Sequence, residues 1–333
     1  MTLSMVEIAK RAGVSVATVS RVMNKKGGYG KATGEKVEAI IKEAGYQKNE
    51  MASGLKRKFT RSIGVIIPNV VTNYFGLIVE GIEEEARKNG YSILLAHSGN
   101  GGEHFEHALA TLTERRVSGL IFVSVQTTDD DYDLVKQSTT PHIFISSDSD
   151  TQDFSKIKID DYQAALEATR YLIGKGHKKI GLVGLNPADK VAGEPRIKGY
   201  RRAFEEANLQ LDEKWIISGD FGVETAEKGV EISLDQIDTT ALFCASDEAA
   251  IGAMKACRKK GLNVPEDISI MGFDDSTTAK LCYPELTTVH QPLFEMGSQS
   301  VFKIIQAIET NDVIESDIVP FDIIERESVV SLT

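Results

Sequence analysis

The sequence predicts an α/β protein with two successive parallel sheets, preceded by a small all-α headpiece. Three observations carry that prediction. From Ser62 onward, short apolar runs alternate with amphipathic stretches at the spacing of strand–helix units. The first 47 residues show only helical periodicity, with glycine at the breaks. Charge divides near residue 60: residues 1–60 hold 12 Lys and Arg against 5 Glu (net +7), and the rest hold 26 against 44 (net −18).

With 333 residues, 41% hydrophobic and 26% charged, the chain can bury real cores and is too long for one typical domain. It has no run of 18 apolar residues, and MTLSMVEIAKRAG lacks the basic and apolar regions of a secretory signal, so a cytoplasmic location is expected. Cys244, Cys257 and Cys282 are widely spaced and contain no CxxC, which fits structural thiols better than disulfides or zinc.

In the basic head, Ser4 to Glu7 (SMVE) reads as a capping box. Met5, Ile8, Ala9 and Ala12 then share one helical face, and Gly13 stands where a left-handed residue ends a helix. Val14 fills the turn and Ser15 caps the next segment. VSVATVSRVMN (14–24) is rich in β-branched residues that favour strands, yet Val19, Val22 and Met23 fall on one helical face. Two short helices joined by a glycine-containing turn describe a helix-turn-helix, whose second helix lies in the DNA major groove. Val16 and Ala17 are then the base readers, by shape and thymine-methyl contact. Ser15, Thr18, Ser20, Arg21 and Asn24 suit phosphates, and Arg21 also suits guanine. A helical hairpin packed on a larger domain is the competing reading of spacing alone. A third helix is expected after KKGGYGKAT, capped by Thr33, with Val37, Ile40, Ile41, Ala44 and Tyr46 on its apolar side. KNEMASGLKRKFTRS beyond it reads as a linker.

In the body, IGVII (63–67), YSILLA (91–96), GLIFVS (119–124) and HIFIS (142–146) are expected strands of one sheet. KIKID, KKIGLVGL, WIIS, TALFCA and DISIMGF are expected to form a second series. Ligands in such folds sit beyond the carboxyl ends of the strands. The residues there are Asn69, Asn73, Tyr74, Phe75, Ser146, Ser147, Asp160, Phe221, Ser246, Asp247, Asp274 and Asp275. Aromatic rings with carboxylates form a sugar-type site, although any one of these residues could be a helix cap, Ser246 and Asp247 most readily.

MVEIAKRAGVSVATVSRVMN, TGEKVEAIIKEAGY and N-x-x-A-x-x-L (Asn49, Ala52, Leu55) together resemble the lactose/galactose repressor (LacI/GalR) family of bacterial transcription regulators. The likeness continues through RIKGY (196–200), FCASDEAAIGAM (243–254), PEDISIMGFDD (265–275), PELTTVHQP (284–292) and IERES (324–328). It implies a sequence-specific regulator of repressor type, binding operator DNA as a homodimer and modulated by a small-molecule effector, a sugar, sugar phosphate or related compound. It implies a helix-turn-helix headpiece (1–47), a hinge (48–60) and a periplasmic-binding-protein-like effector domain. The subdomains of that domain are 61–160 with 291–320, and 161–290 with 321–333. It also implies that the hinge folds on DNA and that Leu55 wedges into the minor groove. Ser4, Tyr46, Asn49 and Ala52 join the DNA-contact set. For the effector it implies Tyr74, Phe75, Arg196, Phe221, Asp247 and Asp274, and further Asp160, Lys190 and Gln291. Lys48, Ser53, Gly30, Gly34, Ser146 and Ala192 depart from the family pattern.

The sequence contains no GxGxxG, GxxxxGK[ST] or GxSxG and no recognisable nucleophile–base set, so neither an enzyme nor a cofactor is expected. His104 and His107 fall i, i+3 with no third ligand nearby. The competing readings are a sugar-processing α/β enzyme and a sugar-binding protein with an incidental helical cap. The basic head weighs against both.

Overall fold

The computed structural model describes residues 4–23, 25–44, 60–70, 72–149 and 153–332. Asn24, Tyr46, Asn49, Ala52 and Leu55 lie outside the described residues, with most of the hinge. The chain divides into two compact units, Met1–Lys58 and Phe59–Thr333.

The first unit is three helices, α1 (Met5–Ala12), α2 (Val16–Met23) and α3 (Lys31–Glu43). Ser4 Oγ accepts the Glu7 amide at 3.3 Å while Glu7 Oε2 accepts the Ser4 amide at 2.7 Å, closing a capping box. Gly13 ends α1 at φ 71°, a conformation that costs a residue with a Cβ. Ser15 Oγ accepts the Thr18 amide at 3.1 Å, so α2 begins after a tight turn. Ile8, Ala9, Ala12, Val19, Val22 and Val37 form the buried core. This burial overrides the strand propensity of the valines. The third helix begins earlier than expected: Gly30 occupies the N-cap without a side-chain bond, and Thr33 lies inside the helix. The space at Gly34 is filled by the Tyr29 ring, since a Cβ there would stand 3.0 Å from Tyr29 Cε2.

The second unit alternates strands and helices. In chain order they are β1 (Ser62–Ile67), α4 (Asn73–Lys88), β2 (Ser92–His97), α5 (Phe105–Glu114), β3 (Gly119–Val123), α6 (Asp129–Gln137), β4 (His142–Ile145) and β5 (Lys156–Lys158). Next come α7 (Asp161–Gly174), β6 (Ile180–Leu185), α8 (Gly193–Glu206), β7 (Ile216–Ser218), α9 (Val223–Ser233), β8 (Ala241–Cys244), α10 (Asp247–Lys259) and β9 (Ser269–Asp274). The chain closes with α11 (Thr277–Leu281), β10 (Thr287–His290), α12 (Leu293–Thr310), β11 (Asp317–Ile318) and β12 (Asp322–Ile324). None of the described helices is long and apolar enough to cross a membrane.

Two six-stranded sheets result, in orders β11-β5-β4-β3-β1-β2 and β12-β10-β9-β8-β6-β7. All neighbours are parallel except β10 and β12. KIKID therefore does not open the second series as expected: its strand β5 pairs with β4 in the first sheet, Ile145 opposite Ile157. The helix that follows it, α7, packs against α8 in the second half, so one apolar run is the last of one series and sits beside the first helix of the next.

Helix pairs cover the sheets at close range, and glycine makes this possible. A Cβ on Gly81 of α4 would stand 2.0 Å from Phe294 O of α12, and one on Gly297 would stand 2.2 Å from Ile78 O. The helix that returns from β10 is thereby fixed against the first sheet's helix.

Candidate functional site

The cleft is a cavity of about 320 Å³ between the two sheets, within the range of small-ligand pockets. The first sheet contributes Tyr74 and Phe75 after β1, Ser124 after β3 and Ser146 after β4. The second contributes Asp189 after β6, Asp220 and Phe221 after β7, Ser246 and Glu248 after β8, Asp274 at the end of β9 and Gln291 after β10. Asp161 and Arg196, from the first turns of α7 and α8, complete the floor.

Four lining residues hold positive φ: Ser124 and Ser146 at 47°, Phe221 at 65° and Asp274 at 114°. Such conformations are costly for non-glycine residues and cluster where a site requires them. Phe221 shows how one is held. Its amide donates to Gly184 O at 2.9 Å and its carbonyl accepts Ser246 Oγ at 2.6 Å. Ser246 Oγ also accepts the Ala249 amide at 2.9 Å, so one hydroxyl both caps α10 and aims the ring.

Arg196 is 5% exposed. Its Nε donates to Asp161 Oδ1 at 2.9 Å, its Nη1 donates to Ala245 O at 2.8 Å, and its guanidinium lies 3.5 Å from the Phe273 ring centroid. These contacts leave further N–H groups of its fork for a ligand. Tyr74 stands edge-on to Phe75, and its hydroxyl is 3.2 Å from Ser124 Oγ. Burial pushes the Tyr74 phenol up to about 12, so it is a neutral donor. Thr72 Oγ1 also lines the cleft, buried and without a hydrogen-bond partner among the described residues.

Of the sequence-selected residues, Asn69, Tyr74, Phe75, Ser146, Arg196, Phe221, Ser246, Asp274 and Gln291 line the cavity. Asp160, Lys190, Asp247 and Asn73 do not. Asp160 caps α7, its Oδ1 accepting the Gln163 amide at 2.9 Å, and the next residue, Asp161, faces the cleft. Lys190 is exposed and bonds Glu194 at 2.6 Å. Asp247 is fully buried behind the wall: it accepts the Ser276 amide and Thr288 Oγ1, each at 2.7 Å. Asp189, Asp220 and Glu248 are lining residues that the sequence reading missed. Asp189 and Asp220 stand a few residues past strand ends, in turns whose path no periodicity reveals, and Glu248 is in the first turn of α10. His104 is at the N-cap position of α5 with His107 in the helix, and no group able to hold a metal occurs among the described residues.

Burial pushes Asp247 up to about 6, against the hydrogen bonds from Thr288 and Ser276. Its neighbour Asp274 is raised as well, by burial and by Asp247, although Arg196 opposes the rise. A carboxyl whose folded pKa is raised contributes stability that is fully present below its unfolded value, near 3.9, and is lost as pH rises through about 6. Asp247→Asn cannot titrate. Chemical denaturation is expected to show the wild-type advantage over this variant falling by about 2–3 kcal/mol between about pH 4 and pH 7. A pH-independent difference would contradict the assignment.

At the mouth of the cleft, Asn73 Nδ2 donates to Thr278 Oγ1 at 2.7 Å and the Asn73 amide donates to Glu248 Oε1 at 3.3 Å. These bonds join α4 of the first half to α10 and α11 of the second. Asn73→Ala removes the side-chain bond, worth about 1 kcal/mol. The free protein is expected to populate a more open cleft, read as a larger radius of gyration in small-angle scattering. An unchanged scattering curve would remove the latch.

In the headpiece, Ser4, Ser15, Val16, Ala17 and Arg21 are exposed, whereas Thr18 and Ser20 are half-buried. Ser4 and Ser15 spend their hydroxyls on helix caps.

Residues 4–49 match the bacterial regulatory proteins of the lacI family, and residues 169–329 match a periplasmic binding protein-like domain. The transcriptional repressor PurR of Haemophilus influenzae is 35% identical over 332 residues, covering 98% of each chain. The chain belongs to the lacI family of bacterial regulatory proteins. It is a DNA-binding transcriptional regulator with a ligand-binding domain. Solved structures extend the likeness of this lacI-family regulator to both units. The Lac repressor dimer bound to operator and the anti-inducer ONPF has TM-score 0.87 and 28% identity, covering 99% of this chain and 100% of that one. The regulator CelR in complex with cellobiose has TM-score 0.75 and 28% identity, covering 98% and 99%.

Proposed function

We propose that this regulator, of repressor type, grips operator DNA as a homodimer through α2 and that a sugar or sugar derivative in the cleft modulates its operator affinity. The cleft carries this reading: aromatic, hydroxyl and carboxylate groups from both sheets converge on one cavity, several held in costly backbone conformations. The CelR–cellobiose complex supports a sugar, and the operator-bound Lac repressor dimer supports a paired headpiece. Val16, Ala17 and Arg21 read bases. Ser15, Thr18, Ser20 and Asn24 hold phosphates or caps, and Asn49, Ala52 and Leu55 form the hinge contact. The subdomains 61–160 with 291–320 and 161–290 with 321–333 rotate about the three passages between sheets. Effector affinity that differs between their two arrangements shifts the headpieces' ability to pair. Gel-shift and calorimetric assays on the full chain and on a chain lacking residues 1–60 test this. Operator binding is expected to vanish in the truncated protein while cleft binding survives; retained operator affinity would refute the assignment.

A further inference from the structure

The cleft is lined by five carboxylates, Asp161, Asp189, Asp220, Glu248 and Asp274, and by one cation, Arg196. That cation is paired with Asp161. Behind the wall Lys156, Lys158 and Arg196 share Asp148 and Asp161, which leaves a single positive charge against the rest of the acidic lining. The four remaining carboxylates share one pattern. Asp189 Oδ1 accepts the Val191 and Ala192 amides at 2.8 and 3.3 Å, and Asp220 Oδ1 accepts the Gly222 amide at 3.1 Å together with Thr225 Oγ1. Glu248 Oε1 accepts the Asn73 amide at 3.3 Å, and Asp274 Oδ1 accepts Gln291 Nε2 at 2.7 Å. In each, the second oxygen has no hydrogen-bond partner among the described residues.

Asp274 is pushed toward its neutral form by burial and by Asp247, which leaves Asp189, Asp220 and Glu248 as charged acceptors that call for a ligand rich in N–H and O–H donors. Closing the cleft on a neutral ligand would remove these three charges from water without compensation, and closing it on a phosphate or carboxylate would add repulsion to that cost. Asp189 and Asp220 follow the adjacent strands β6 and β7, so the acidic pole lies at one edge of the second sheet. We propose that the effector is a polyhydroxylated molecule carrying a protonated amine, seated against Asp189 and Asp220. Phosphorylated and carboxylated sugars are rejected. This rests on the reading of the cleft as a sugar-type effector site.

The test uses the full chain and the glucose, galactose and mannose series. Each is presented as the neutral sugar, the 2-amino sugar, the 6-phosphate and the uronate, by thermal shift and titration calorimetry. In at least one series the amino sugar is expected to bind about tenfold tighter than its neutral parent at low salt, with the anionic members about tenfold weaker than that parent. The advantage should shrink at about 0.5 M salt. The double variant Asp189→Asn, Asp220→Asn keeps the Oδ1 acceptors and the turns they hold. It should bind the amino sugar no tighter than the neutral parent. Binding of neutral or anionic members at least as tight as the amino sugar overturns the proposal and leaves the sugar site standing. So does an amine preference that survives in the double variant. Stabilisation by no member of any series overturns the sugar reading and this inference with it.

Discussion

Arg196→Ala is expected to destabilise the second half of the body by about 3–5 kcal/mol, the cost of breaking a buried ion pair. Arg196 is 5% exposed, and its guanidinium bonds Asp161 and Ala245 O and lies over the Phe273 ring. Truncation removes the stacking, strands Ala245 O, and leaves Asp161 buried with only Lys158 Nζ at 3.5 Å to balance it. The single tryptophan, Trp215, packs 6.0 Å from Phe204 on the same helix as Arg196, so its fluorescence reports the affected core. Urea titration should move the Trp215 midpoint down with little change in slope. Arg196→Lys separates structure from recognition. Lysine keeps a charge but cannot span Asp161 and Ala245 O while lying on the ring, so it should fold better than alanine and still lose the effector response. A loss below about 1 kcal/mol for alanine, or a normal response for lysine, would contradict the role of this side chain.

How far the sequence carried this picture varies with the kind of signal. Apolar runs located β1 to β9, where burial leaves a Val, Ile and Leu signature, but not the short strands β10, β11 and β12. They did not say which sheet KIKID joins, since sheet membership depends on where the chain crosses and not on composition. The cleft aromatics Tyr74 and Phe221 were legible because a large ring just past a strand end is conspicuous. Asp160 and Asp161 were not separable by the same means. Adjacent residues at a helix start diverge in direction, and the capping bond to Gln163 decides which one faces inward. Asp247 shows the limit of motif transfer: a carboxylate at a strand end can serve the wall, tying α10 to Ser276 and Thr288, without facing the ligand space. Asp189, Asp220 and Glu248 carried no sequence signal of their own, although together they set the charge of the cavity.

Exchanging Val16 and Ala17 for other small side chains is expected to change which operator is selected and to leave the headpiece folded. Val16 is 41% exposed, Ala17 is exposed as well, and neither belongs to the buried core. Their neighbours behave oppositely. Val19 and Val22 are at most 1% exposed and pack against Ile8, Ala12 and Val37. The strand-like composition of α2 thus divides by face: two valines hold the helix to a miniature core, and the first pair of residues presents an apolar edge able to touch thymine methyls. Each altered base contact is worth about 1–3 kcal/mol, so a double exchange should shift preference between sites by about 30- to 25,000-fold. Val19→Ala should instead weaken binding to every sequence alike, because a headpiece of six core residues tolerates little loss of burial. Selection from a randomised operator library, read by sequencing at fixed salt, distinguishes the two outcomes. A Val16 and Ala17 variant that recovers the wild-type operator would remove these residues from the reading edge, whereas a uniform loss across all sites would move them into the core with Val19.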